Sequence, residues 1–178
     1  MLTTVNLANG IKVLFVPNER SIAFAMSVFV PVGSRNDSPG KEGLTHFVEH
    51  MVMKRTEKFK EDNAFVKAIG TIGAQMDANT EREVTFFSIR CGILKAEQCI
   101  EILAEAMCRP VFSQTDFEKE LSIVVDEIVM YESDPKETIK DGLEQFCFKG
   151  SDFARPIIGT RGSIAHITLD DVVRWHRS

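Results

Sequence analysis

The order of hydrophobic patterns along the chain predicts an α+β fold. Three β-rich runs come first, a pair of helical patterns follows, and strands and helices then mix without a βαβ alternation. Asn9-Gly10, set between two short β-rich runs, is a hairpin signal and makes the opening antiparallel. The apolar fraction of 44% and charged fraction of 26% over 178 residues suit one compact domain with a sizeable core.

Thr3 to Leu7 and Ile11 to Val16 are the hairpin strands, and Ile22 to Val30 is an apolar, β-rich third strand. Residues 31–40 hold two prolines, two glycines, Asn36 and Asp37, so they read as a loop. That loop leads to a helix starting near Glu42 or Gly43. Thr56 to Lys60 is a polar break before a second helix, about Glu61 to Ile69, which ends near Gly70 or Gly73. Gln75 to Asn79 and Glu83 to Cys91 read as strands, the second alternating well. A helix from about Lys95 to Met107 stops before Pro110. The longest helix spans about Gln114 to Glu132, with Asp116 early in it, where a carboxylate suits the helix dipole. Asp134-Pro135 breaks it, and another helix runs to about Phe148. Residues 150–162 read as loop with a short strand at Ile157-Ile158, and Thr168 N-caps a last helix, Leu169 to His176.

A net charge of −5 argues against nucleic acid and anionic membranes, which both favour a basic patch. No apolar run approaches the ~20 residues needed to cross a bilayer. The opening Met1-Leu2-Thr3-Thr4 enters a strand pattern at once, without the features of a secretory or transit segment. The expectation is a cytoplasmic protein, unless a presequence was removed. Cys91, Cys99, Cys108 and Cys147 form no C-x-x-C and fall in apolar or helical patterns, so reduced, mostly buried thiols are expected.

The stretch that carries chemistry is His46-Phe47-Val48-Glu49-His50, an H-x-x-E-H motif. At ~100° per residue, His46 and His50 share one helix face with Glu49 beside them. Leu44, Phe47, Val48 and Met51 form an apolar stripe on another face. Two imidazoles four apart can reach one zinc ion, and the adjacent carboxylate can take a proton from a water that the ion polarises. A chance match to such a motif arises in roughly one chain in a few hundred. A catalytic zinc has three protein ligands and an open position, so a third donor is needed from another element. The long helix offers Glu118, Glu120, Asp126, Glu127 and Glu132. Glu120 and Glu127 share a face beside Leu121, Val124, Val125 and Ile128, where a carboxylate is poorly solvated unless it meets a cation. On pattern alone, a ligand pair and a merely solvated face are equally good readings of these two.

Four stretches, in order, resemble the inverzincin metallopeptidases: pitrilysin, insulin-degrading enzyme and the mitochondrial processing peptidases. They are Asn9 to Val13, Gly43 to Met51, Asp77 to Phe87 and Glu120 to Ile128, and the resemblance that rests on them covers nearly the whole chain. The resemblance implies a mostly antiparallel sheet packed by helices on one side, a half-domain of the pitrilysin or processing-peptidase type. It implies one zinc ion held by His46, His50 and Glu127, with Glu49 as general base and Glu120 as a second acidic group supporting the site. Glu127 follows His50 by 77 residues, about the spacing the family uses. Asp77, Ala78, Asn79 and Thr80 match an edge strand that binds substrate by β-strand addition. Asp77 stands where the family usually has Asn, and Phe87 where it often has Tyr. Asp77 therefore cannot donate as an amide would.

The implied activity is zinc-dependent endopeptidase hydrolysis of peptides or unfolded polypeptide segments. The implied partners are a peptide substrate and a second half-domain or homologous subunit, and self-association into a homo-oligomer is compatible with the pattern. The whole of 1–178 reads as a single catalytic zinc-binding domain, the N-terminal half of a two-half peptidase without its last strand. The alternative is a non-catalytic structural or substrate-presenting subunit of the same fold. S-ribosylhomocysteine lyase shares the inverted motif but takes a Cys as third ligand, and no Cys here has that context. A peptide-binding module with structural zinc needs a fourth protein ligand, for which there is no candidate. His166 and His176 read as surface or packing residues, and Trp175 as a helix anchor.

Overall fold

The structure is a computed structural model and describes residues 2–178. Strand β1 (Thr3–Asn6) pairs with β2 (Lys12–Phe15) in the expected antiparallel hairpin, Thr3 opposite Phe15 and Asn6 opposite Lys12. The turn is closed by the Asn9 side chain, which accepts from the Ile11 N–H, and by Gly10 in the left-handed region at φ 87°. This hairpin stands apart from a three-stranded antiparallel sheet in the order β3 (Ala23–Val30), β5 (Thr85–Gly92), β4 (Gln75–Thr80). The registers Val30↔Thr85 and Thr80↔Thr85 align all three strands at one end.

Alternation along the strands puts Phe24, Met26 and Val28 of β3 and Phe87, Ile89 and Cys91 of β5 on one face. Helix α3 (Ala96–Cys108) covers that face with Cys99, Ile102, Leu103 and Ala106. The other face carries Ala25, Ser27, Ser88, Arg90, Gln75 and Asp77 and faces solvent. The sheet is thus packed by helices on one side, as the resemblance implied.

Helix α1 (Leu44–Val52) joins this layer to a second core. Its Val52 packs under the sheet with Phe65 of α2 (Ala64–Thr71). Its Leu44, Phe47 and Met51 meet Phe117, Val124 and Ile128 of α4 (Gln114–Ser133), with Ile164 of α6 (Arg161–Ile164) and Val172 of α7 (Leu169–Arg177). An apolar arc this wide leaves α1 one remaining face, the one bearing His46, Glu49 and His50.

Several local expectations are corrected. Helix α2 starts at Ala64, not Glu61, because Asn63 sits in the left-handed region at φ 58° and 61–63 form a turn. Ile157-Ile158 is a turn rather than a strand: Gly159 at φ 78° returns its N–H to the Pro156 carbonyl. Within the expected loop 150–162 the chain starts α6, nucleated by a capping box between Thr160 and Ser163. Cys91 and Cys99 are buried, but Cys108 and Cys147 are exposed, because they lie in the last turns of their helices beyond the packed face. Helix α5 (Pro135–Cys147), N-capped by Asp134, turns Glu137, Asp141 and Glu144 toward the body and leaves Ile139, Leu143 and Phe146 exposed. His166 is exposed, and His176 packs on Phe112 while its Nε2 lies 3.0 Å from the Met107 carbonyl. No helix among the described residues is long and apolar enough to cross a membrane.

Candidate metal centre

The start of α1 is set by two residues that precede the motif. Gly43, at the N-cap, has no side chain to satisfy the first N–H groups. Asp37 does so from the loop: its carboxylate accepts from Gly43 N (2.8 Å), Thr45 N (3.0 Å) and the Thr45 hydroxyl (2.6 Å). Gly43 adopts φ 93°, and a Cβ there would lie 2.6 Å from the Ile158 carbonyl oxygen.

One turn on, His46 and His50 stack edge to face with ring centroids 4.6 Å apart. Glu127 reaches them from α4. Its Oε2 lies 3.8 Å from His46 Nε2 and 3.6 Å from His50 Nε2. One donor atom from each of the three falls within 4.8 Å of the others. Tetrahedral zinc with bonds near 2.0–2.1 Å sets its donors about 3.3 Å apart, so the two separations from Glu127 need to contract by only a few tenths of an ångström. Two imidazoles and a carboxylate are also a donor set that zinc accepts, and three protein donors leave one position open.

The surroundings tune each group. Burial, and then the neighbouring His50, push His46 down to about 3, so its ring is neutral and its lone pair free at ordinary pH. His46 Nδ1 is buried without a hydrogen-bond partner among the described residues. His50 is different: burial alone would lower it, but its hydrogen bond to the Glu120 carboxylate and the charges of Glu49 and Glu127 raise it. Glu120 Oε2 lies 3.1 Å from His50 Nδ1, leaving Nε2 for the cleft. Burial opposes ionisation of Glu120, but His50 and Lys54 outweigh it and hold the carboxyl below its usual range. Burial raises Glu127, partly offset by His50. Burial also raises Glu49, against the pull of the Thr80 hydroxyl and His50. A carboxylate shifted upward is closer to the range in which a general base works.

The cleft in front of these residues has a volume of about 430 Å³. Its floor is His46, Glu49, His50 and Glu127. Ala78, Asn79 and Thr80 of β4 form one wall, with Glu81, and Tyr131, Glu137, Lys140 and Asp141 form the other. Of the four expected substrate contacts, Asp77 does not reach the cleft. It lies on the outer face of the sheet with Gln75 and Arg90. Strand alternation turns its side chain opposite to that of Ala78, which packs against the core under the sheet. The Thr80 hydroxyl is turned to Glu49 Oε2 at 2.6 Å. Sequence reasoning missed Tyr131 and Lys54, although each lies four positions after a named site residue, Glu127 and His50, where a helix returns to the same face.

Comparison with known proteins agrees with this architecture. The family model for insulinase, peptidase family M16, matches residues 12–161. An uncharacterized zinc protease of Bacillus subtilis, YmxG, is 27% identical over 175 residues, 98% of this chain and 42% of that protein. A protease from Helicobacter pylori of known structure superposes with a TM-score of 0.89 at 25% identity, covering 99% of this chain and 42% of that one. The inactive domain of an M16 peptidase from Pseudomonas fluorescens superposes equally well, TM-score 0.89, at 20% identity over 99% of this chain and 43% of its own. That last likeness speaks to the fold alone. The chain spans about two fifths of the length of these relatives. With the family's sequence model matched over most of its length and the fold shared end to end, the chain belongs to the insulinase family of peptidases, M16.

Proposed function

We propose that the chain is the zinc-binding half of a metalloendopeptidase that hydrolyses peptides or unfolded polypeptide segments. One observation carries this reading: His46, His50 and Glu127 bring donor atoms within 4.8 Å of one another at the floor of an open cleft, with Glu49 beside them. His46 Nε2, His50 Nε2 and a Glu127 oxygen would hold one zinc ion. Zinc bound there supplies a Lewis acid for the scissile carbonyl and for the attacking water.

The residues of the chain do the rest. Glu49 takes the proton of the attacking water and passes it to the leaving amine. Thr80 anchors one oxygen of Glu49 and leaves the other without a protein partner among the described residues. Glu120 orients the His50 ring from behind. The free edge of β4, from Ala78 to Thr80, pairs with the substrate backbone, which gives sequence-tolerant affinity. With Asp77 on the outer face of the sheet, its departure from the family's Asn acts through charge, which adds to the upward push on Glu49.

The relatives are more than twice as long as the chain, which fits a partner half, or a homologous subunit, closing over the cleft. All four cysteines are unpaired, which suits a reducing compartment such as the cytoplasm. The complete set of His46, Glu49, His50 and Glu127 favours activity. Elemental analysis and a quenched-peptide assay of the intact enzyme test this together. Glu49→Gln should retain zinc and lose hydrolysis. Unchanged turnover in Glu49→Gln would exclude the proposed base.

A further inference from the structure

Glu120 has two oxygens, and both are taken by residues from one short stretch. Oε2 meets His50 Nδ1 at 3.1 Å, and Oε1 meets Lys54 Nζ at 2.6 Å. The Glu120 side chain is only 3% exposed, so water contributes little to its solvation. A carboxylate that dry is costly without a cation. Among the described residues, Lys54 is the only lysine or arginine within ion-pair distance of it.

Lys54 follows His50 by four positions, just past the C-cap Met53. Its N–H still donates to the Met51 carbonyl at 3.3 Å, so the chain stays wound and the side chain lies on the His50 side of α1. The next residue makes a matching contact. Arg55 Nε and Nη2 reach Asp116 Oδ2 and Oδ1 at 2.5 and 3.1 Å. Asp116 and Glu120 are one turn apart on α4, so Lys54 and Arg55 grip successive turns of the helix that also carries Glu127.

We infer that Lys54 is a positioning residue for the metal centre: through Glu120 it fixes the His50 ring with Nε2 toward Glu127, and so sets how tightly the cleft binds zinc. This rests on the assignment of His46, His50 and Glu127 as the zinc donors. Groups behind a ligating imidazole are known to govern metal affinity by holding the ring. Here that support has two layers, the carboxylate and the ammonium that anchors it.

The test is zinc affinity of the full chain, measured by competition with a chromophoric chelator, together with the visible spectrum of the cobalt-substituted protein. Lys54→Met should weaken zinc binding about tenfold and alter the cobalt bands. Lys54→Arg should restore both. In a Glu120→Gln background, Lys54→Met should add nothing further, since the two act in series. Lys58→Met, which removes an exposed lysine paired with exposed Glu101, should leave affinity unchanged. Should Lys54→Met fail to fold, Lys54→Gln carries the same comparison. Wild-type affinity in Lys54→Met, or additive losses with Glu120→Gln, overturns the inference while leaving the zinc site standing. A wild-type chain that takes up no zinc overturns the inference together with the assignment beneath it.

Discussion

The Thr80 hydroxyl donates to Glu49 Oε2 across 2.6 Å, so the last residue of β4 holds a buried carboxylate of α1 in place. The sheet and the motif helix meet at this bond, where the substrate-pairing edge adjoins the proposed base. Thr80→Val keeps the volume and removes the hydroxyl. Zinc content should stay at the wild-type level while kcat for a quenched peptide, in the intact enzyme, falls about tenfold or more as Glu49 loses its orientation. An unaltered kcat would remove Thr80 from the mechanism.

Gly43 sets the entrance to α1. Replacement by Ala places a Cβ 2.6 Å from the Ile158 carbonyl oxygen and forces a side chain into a backbone conformation at φ 93°. Gly43→Ala should destabilise the chain by about 1–3 kcal/mol and displace the first turn of the helix. Chemical denaturation measures the first effect. Stability equal to wild type would show that the 157–159 turn yields freely.

Phe47 is fully buried, with its ring 5.1 Å from Phe117, in the cluster through which α1 packs on α4. Phe47→Ala should cost about 3–5 kcal/mol through lost burial and the cavity left behind. Because the His46–Glu127 separation depends on this packing, zinc uptake should weaken along with stability. A destabilised variant with undiminished zinc affinity would mean that the ion pairs alone hold the two helices in register.

Acid stability depends on Asp171, in the first turn of α7. Burial by itself raises its pKa. Contact with the Lys41 ammonium, bonds from Thr168 and the Arg174 guanidinium outweigh burial and hold the carboxyl well below its ordinary 3.8. A carboxylate depressed in the fold stabilises above its unfolded pKa, and that contribution is lost as pH falls toward the folded value. Asp171→Asn should therefore cost about 1–3 kcal/mol at pH 7. It should also lose less stability than wild type between pH 5 and pH 2, a window running from about one unit above to about two units below the unfolded carboxylate pKa. Denaturation midpoints at the two pH values test this. Parallel acid slopes in the two proteins would rule Asp171 out as the group responsible.

Much of the site was legible because it is local. His46, Glu49 and His50 lie within one turn or so of a helix, and helical period alone puts them on one face away from Leu44, Phe47 and Met51. Glu127 was not legible from pattern, since a carboxylate beside an apolar stripe reads equally as a solvated flank. Only the packing of α4 on α1 turns it toward the imidazoles. Asp77 shows a contiguous motif running past the cleft: Ala78, Asn79 and Thr80 line it, while Asp77 falls with Gln75 and Arg90 on the outer face of the sheet. Ile157-Ile158 has strand-forming side chains, yet Pro156 and Gly159 close a turn around them. The isolation of the β1–β2 hairpin from the main sheet is a long-range fact that no local signal encodes. Lys54 was within reach, four residues past a named ligand, but its role appears only when Glu120 is seen between the two.

The most direct test is diffraction from zinc-loaded crystals of the chain at the zinc absorption edge. The account predicts a single strong anomalous peak, about 2.0–2.2 Å from His46 Nε2, His50 Nε2 and a Glu127 oxygen. A peak held by other residues, or saturating zinc with no peak between α1 and α4, would contradict it.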